Sequence, residues 1–268
     1  MCPPEFFDVT YEINAWMRVQ TKPDSSLARI QWAQLRRILE DEMDCVVEIV
    51  APHPEVPDMV FTANAGLVYG NRVIPSRFRF AERQGEVSHF NRWFVEHGFE
   101  LWDVPAETPG SFEGEGDALF YGDILLAGYR QRSDAAYYGA LAALLGKAVL
   151  PLELVDTRWY HLDTCLFPLR SDLLAYYPPA FDEYARRVLE NLPGEKILLT
   201  EHDALRFGGN AVVIGDRVAI NSGCDALSES LERHGYTVFS TDLSEFLKSG
   251  GAAKCLTLLL EHPALDVL

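Results

Sequence analysis

The sequence predicts an α/β fold of five pseudo-symmetric ββαβ units set around a central pocket. Three observations lead there. A hairpin–helix–strand pattern recurs at a period of about fifty residues, the kind of spacing that marks radially repeated architectures. Tight Gly-Asn or Gly-Asp turns punctuate it at 70–71, 122–123 and 215–216. Polar residues able to do chemistry recur at one point of each repeat, just before or at its first strand: Asn14, Asn64, the turn Glu113–Asp117, His161 with Asp163, Asn210 and Cys255. Equivalent points of a ring face its axis, so residues far apart in sequence are expected in one polar pocket.

The elements follow in order. Leu67–Tyr69 and Arg72–Pro75 read as a hairpin, because Gly70-Asn71 supplies the positive φ that a two-residue turn requires. A helix over Glu86–His97 carries Val87, Phe90 and Phe94 on one face and is closed by Gly98; a strand over Phe99–Val104 returns. The second unit has Ala118–Tyr121 and Ile124–Ala127, a helix capped by Ser133 or Asp134 and ended by Gly146, and a strand over Lys147–Leu154. The third has Thr164–Pro168 and Leu173–Tyr177 about a turn at Arg170–Asp172, a helix over Asp182–Asn191 and a strand over Lys196–Thr200. The fourth has Ala211–Ile214 and Arg217–Asn221, a helix over Ala226–His234 and a strand over Tyr236–Ser240. The fifth is split between the chain ends. A strand over Cys255–Leu260 lies beside one near Phe7–Ile13, then come a helix over Ser26–Glu40, striped by Leu27, Ile30, Leu35 and Ile38, and a strand over Cys45–Ala51. Bringing the ends together closes the ring and removes free sheet edges.

No linker or low-complexity tract divides the 268 residues, which reads as a single domain over 1–268. With 48% hydrophobic residues the chain can bury a sizeable core. A formal charge of −17 disfavours nucleic acid, which needs clustered Lys and Arg, and suits a cationic ligand. Five cysteines, odd in number and without a CxxC spacing, argue against a disulfide framework and a zinc knuckle. The N-terminus shows no basic segment followed by an apolar run, and Leu256–Leu260 is too short to span a bilayer, so the expectation is a soluble cytoplasmic protein. There is no phosphate-binding Gly-rich loop and no HExxH, and His89, His97, His202 and His234 have no ligand spacing; neither metal nor cofactor is expected. Homo-oligomerisation stays open.

A lone cysteine, Cys255, with distant His and carboxylates is the inventory for covalent thiolate chemistry on a cationic small molecule. Four segments carry a closer likeness: Asp58-Met59-Val60-Phe61-Thr62-Ala63-Asn64-Ala65-Gly66, Phe112-Glu113-Gly114-Glu115-Gly116-Asp117, Tyr160-His161-Leu162-Asp163-Thr164 and Gly250-Gly251-Ala252-Ala253-Lys254-Cys255. In this order, and over essentially the whole chain, they resemble the guanidino-group-modifying enzymes of the pentein fold: arginine deiminase, dimethylarginine dimethylaminohydrolase, the amidinotransferases and the arginine dihydrolases. The opening Cys2-Pro3-Pro4 with Ile13-Asn14-Ala15-Trp16-Met17, and Asn64 where deiminases and dimethylarginine hydrolases usually place aspartate, resemble arginine dihydrolase most. Ala15 replaces an expected proline, and Gly209 stands where relatives often have cysteine.

The resemblance implies a role for each residue. Cys255 attacks the guanidinium carbon, the bound cation favouring its thiolate. His161, of a type with an unperturbed pKa of roughly 6.5, protonates departing ammonia and then activates water. Glu113, or Glu115 in its place, and Asp163 accept from the planar guanidinium. The Asn64 amide favours retention of a neutral ureido intermediate for a second attack. Asn14 contacts the same end of the substrate as Asn64, and Arg83 and Arg132 hold the amino-acid carboxylate. Cys2, Cys45, Cys165 and Cys224 read as structural. The implied reaction is arginine to ornithine, ammonia and carbon dioxide. Citrulline-forming dimethylarginine hydrolysis or arginine deimination is the alternative, and a catalytically silent pentein that binds a protein partner is the reading from outside enzymology.

Overall fold

Each hairpin-and-crossover pattern becomes a three-stranded sheet with one antiparallel and one parallel pair, because a two-residue turn reverses the chain and a helical crossover restores its direction. The structure, a computed structural model, describes residues 1–261; residues 262–268 of the expected domain lie outside them. Among the described residues there are four such sheets. Gly66–Tyr69 (β1), Arg72–Pro75 (β2) and Glu100–Leu101 (β3) form the first; Ala118–Tyr121 (β4), Ile124–Tyr129 (β5) and Ala148–Glu153 (β6) the second. Leu166–Arg170 (β7), Leu173–Tyr176 (β8) and Glu195–Leu198 (β9) form the third; Val212–Ile214 (β10), Arg217–Asn221 (β11) and Thr237–Thr241 (β12) the fourth. The first two strands of each sheet pair antiparallel and the last two parallel. Gly70, Gly122 and Gly215 take φ of +62°, +57° and +59° at equivalent hairpin tips.

The helices are Ser25–Arg37 (α1), Ala81–Gln84 (α2), Glu86–Glu96 (α3), Ala135–Leu145 (α4), Glu183–Asn191 (α5), Glu201–Leu205 (α6), Asp225–Arg233 (α7) and Ser244–Leu247 (α8). Three short ones, α2, α6 and α8, were not expected; α6 starts where the Thr200 hydroxyl accepts from Asp203 N at 3.1 Å. Helix α1 stops at Arg37 and gives way to a wider turn over Ile38–Glu42, closed by Met43 N on Ile38 O. Its buried side is Ala28, Gln31, Trp32 and Leu35, while Leu27 and Ile30 of the expected stripe are 38% and 65% exposed. Trp32 and Leu35 set the inward face, and the other two positions fall off that arc. Neither Ser133 nor Asp134 caps α4 with its side chain. The Ser133 hydroxyl is bonded to Asp117 and Glu113, and Asp134 accepts from Ser111. Among the described residues no helix is long and apolar enough to cross a membrane.

The fifth unit departs from expectation. None of 7–13, 45–51 or 255–260 forms a strand. Val9 N and Val19 N bond to carboxylates, and the Lys22 ammonium takes Val9 O, so side chains satisfy the backbone that a ladder would need. The segment 48–50 pairs instead with Met1, through Glu48 O and Val50 N. The Cys255 segment is a turn packed with Phe61, Phe246 and Leu256.

The entry turns of the units are joined in a closed cycle of hydrogen bonds. Asn64 Nδ2 donates to Glu113 O (3.1 Å), Leu162 N to Asp117 Oδ1 (3.0 Å) and Asn210 Nδ2 to Asp163 O (2.9 Å). Cys255 N donates to Asn210 Oδ1 (3.1 Å), and Ala63 N returns to Cys255 O (3.2 Å). Five turns, one from each unit, thus meet at the centre.

Candidate active site

Three of these turns are single 3-10 turns directly before the first strand of their sheets: Thr62–Ala65, Gly114–Gly116 and Leu162–Thr164. Such tight turns aim side chains inward while the following strand runs outward. Glycine makes the crowding tolerable. Gly114, at φ +59°, lies so near Gly66 that an added Cβ would sit 2.6 Å from Gly66 O. At Gly116 an added Cβ would sit 2.2 Å from Asn64 Nδ2 and 3.2 Å from His161 Cγ.

Cys255 is 2% exposed. Its Sγ meets Asp163 Oδ2 at 3.4 Å and accepts from Asn210 Nδ2 at 3.1 Å. Burial, with Asp163 beside it, pushes the thiol well above the usual range. Asp163 is raised to about 7 by burial, against the pull of Lys254. Its second oxygen, Oδ1, is buried with no hydrogen-bond partner among the described residues. His161 Nε2 lies 2.8 Å from Glu113 Oε2, and Nδ1 has no partner among the described residues. Burial lowers the imidazole to about 4 even though Glu113 opposes the fall. For Glu113 itself, burial is outweighed by Arg132, His161 and Arg83, so the carboxyl falls well below the ordinary range. The result is a neutral imidazole on a carboxylate, one turn away from a protonated thiol.

Of the two glutamates left open, Glu113 touches His161, whereas Glu115 accepts from Lys254 Nζ at 2.8 Å in a buried ion pair. Asn64 is held at both ends: Oδ1 accepts from Arg83 Nη1 at 2.7 Å, and Nδ2 donates to Glu113 O. Arg83 forks onto Glu86 at 2.7 and 2.8 Å and also reaches Asp58 O at 3.3 Å. Four of its five N–H groups are therefore engaged. Arg132 contacts Glu113 Oε2 at 3.2 Å and Ile13 O at 3.0 Å, with its guanidinium 4.8 Å from the ring centres of both Phe80 and Tyr160. Among the described residues, that leaves three N–H groups of Arg132 free. Asn14 binds backbone: Oδ1 accepts from Trp16 N and Met17 N, and Nδ2 donates to Ser249 O. With Trp16 Nε1 on Arg158 O, the segment 13–17 lies across the site.

Of the eight residues singled out for the pocket, His161, Glu113, Arg132, Asn64 and Arg83 are joined by direct bonds, Cys255 meets Asp163 as a second bonded pair, and Asn14 sits in the segment 13–17. Asn210, Lys254 and Glu86 were not assigned chemistry from the sequence. Asn210 had a signal in its repeat position, and Glu86 in its i,i+3 spacing from Arg83. Lys254 had none beyond adjacency to Cys255. An open cavity of about 450 Å³, lined by Phe6, Asp8, Tyr11 and Glu82 among others, does not have Cys255 in its lining. The described residues contain no cluster of three or more His, Cys, Asp or Glu side chains arranged to hold a metal ion.

No family model matches the chain. Individual relatives do. The bifunctional arginine dihydrolase/ornithine cyclodeaminase ArgZ of Synechocystis is 46% identical over 99% of this chain and 38% of its own length. The chain therefore spans less than two fifths of that relative. The N(G),N(G)-dimethylarginine dimethylaminohydrolase of Mycobacterium tuberculosis is 40% identical over 98% of this chain and 85% of its own. Among solved structures, the product-bound N-terminal domain of ArgZ superposes with a TM-score of 0.93 at 45% identity, covering 99% of this chain and 98% of that one. Through this likeness, and a central site of Cys, His and carboxylates inside five joined turns, the chain belongs to the guanidino-group-modifying enzymes and has their pentein fold.

Proposed function

We propose that this chain is an arginine dihydrolase, a single catalytic domain converting L-arginine and two waters to ornithine, two ammonia and carbon dioxide. The observation that carries the reading is Cys255 Sγ between the Asp163 carboxylate and the Asn210 amide, with the His161–Glu113 pair one turn away. Arginine enters as the segment 13–17 moves aside. Its carboxylate takes the free N–H groups of Arg132, with Arg83 and Asn14 bordering it. Its guanidinium donates to the unpartnered Asp163 Oδ1.

The entering cation offsets what keeps the thiol protonated, and His161, neutral at rest, takes up a proton. Sγ bonds to the guanidino carbon, one C–N bond breaks, and ammonia leaves with the proton from His161. Water activated by His161 then replaces sulfur, giving bound citrulline. Asn64, an amide rather than a carboxylate, puts no second negative charge against this neutral ureido group, which stays for a second attack. Sulfur adds again, the second ammonia leaves, and hydrolysis of the thiocarbamate gives a carbamate that breaks down to ornithine and carbon dioxide. Five unpaired thiols suit a reducing compartment, and we place the protein in the cytoplasm.

The likeness to a dimethylarginine hydrolase supports a second reading, in which citrulline is the end product. Incubation of purified protein with L-arginine, counting ornithine, citrulline and ammonia, decides between them. Two ammonia per ornithine is the expected result. One ammonia per citrulline overturns the double hydrolysis, and turnover of dimethylarginine alone moves the substrate. No turnover of either favours a silent, partner-binding protein.

A further inference from the structure

Asn210 takes no part in the steps above, yet its side chain touches the reacting sulfur. It is wholly buried, and its amide is fully used. Nδ2 donates to Cys255 Sγ at 3.1 Å and to Asp163 O at 2.9 Å; Oδ1 accepts from Ala252 N at 3.0 Å and Cys255 N at 3.1 Å. Both amide donors and both acceptor positions are satisfied. Its backbone carbonyl also accepts from Lys254 N at 3.2 Å, so one residue holds the nucleophile's turn at 252, 254 and 255.

We propose that Asn210 is a catalytic residue of this chain: its amide stabilises the Cys255 thiolate and aims it at the substrate carbon in both attacks. The inference rests on Cys255 being the nucleophile. The two contacts of the sulfur are opposite in kind. As a carboxylate Asp163 Oδ2 only accepts, so in that form its contact is favourable while sulfur keeps a proton and repulsive once the thiolate forms. The donor then facing sulfur is the Asn210 amide Nδ2, while Oδ1 of the same side chain holds the turn through Ala252 N and Cys255 N. Nothing has to reorganise as charge develops, the condition under which such donors matter most. In a double hydrolysis the thiolate is nucleophile twice and leaving group twice, so the same bond acts four times per arginine.

Asn210→Asp tests this. It keeps the acceptor for Ala252 N and Cys255 N but turns the donor toward sulfur into a second acceptor. Chloroacetamidine, which joins a planar cation to an alkylating carbon, is titrated against wild type and variant across pH, with the modified thiol located by peptide mapping and a Cys255→Ser control. The variant's alkylation profile is expected to move up by about one pH unit or more. Its kcat for arginine is expected to fall by about a hundredfold with KM changed only a few-fold, as for loss of one preorganised donor. Should Asn210→Asp not fold by circular dichroism, Asn210→Ala carries the same test: its profile must also move up. A folded variant with an unmoved profile, or kcat within about threefold of wild type, overturns the proposal. Wild type that is not labelled at Cys255, or that turns over no guanidino substrate, instead overturns the reading of Cys255, so the two failures are distinct.

Discussion

Replacing Asn64 by aspartate is the most instructive single change, because the two side chains differ only at an atom whose partner is known. Asn64 is 2% exposed; Oδ1 faces the Arg83 guanidinium at 2.7 Å and Nδ2 faces Glu113 O at 3.1 Å. In Asn64→Asp the first contact becomes an ion pair and persists. The second sets two acceptors against each other at about the same distance and adds a negative charge beside the bound ureido group. Losing a buried donor in this way costs about 1–3 kcal/mol of stability, and the part of it felt only while the ureido group is bound shifts the balance between citrulline release and second attack by at most roughly 5- to 150-fold. The assay is the ornithine-to-citrulline ratio under initial-rate conditions, read by chromatography for both proteins. Citrulline is expected to become the main product while arginine is still consumed. A variant that still makes only ornithine would refute the role given to this amide.

Three further outcomes follow from the geometry. Glu113→Gln removes the group that holds His161 up against burial, so the imidazole falls below its present value of about 4; kcat should drop by about 10²- to 10⁴-fold with the acidic limb of the pH profile moved to lower pH, and a loss under tenfold would contradict the assignment. Asp163 is raised from 3.8 to about 7, so its contribution to stability is fully present below pH 3.8 and is lost as pH rises through 7. An amide in its place does not titrate, so Asp163→Asn should gain on wild type between about pH 4 and 8 by at most about 4 kcal/mol in urea unfolding, and an unchanging difference would show the carboxyl to be unperturbed. Lys254→Met leaves Glu115 charged at 1% side-chain exposure and should destabilise by about 3–5 kcal/mol, most of it recovered by adding Glu115→Gln; no recovery would mean that the lysine acts through packing alone.

The four sheets were legible because they rest on local signals: a Gly-containing tip in three of them, helices with an apolar face, a closing glycine such as Gly146 at φ +65°. The fifth unit was not, because its backbone is satisfied by carboxylates and a lysine, which leave no periodicity to read. The short helices α2, α6 and α8 are too brief for a hydrophobic period to appear. For the site, repeat position was sufficient to gather Asn64, Glu113, His161, Asp163 and Cys255. What it could not supply was the wiring. That Glu113 rather than Glu115 meets His161 depends on Lys254 drawing Glu115 aside. That Arg83 is engaged by Glu86 while Arg132 keeps free donors is likewise a matter of packing.

The central claim is that Cys255 carries the guanidino carbon through two hydrolyses. Arginine labelled at that carbon, given to the enzyme and quenched in acid during turnover, tests it directly. The label is expected on the peptide containing Cys255 at early times and in carbon dioxide at the end. Label that ends in free citrulline, or that reaches carbon dioxide equally fast in the Cys255→Ser protein, would contradict it.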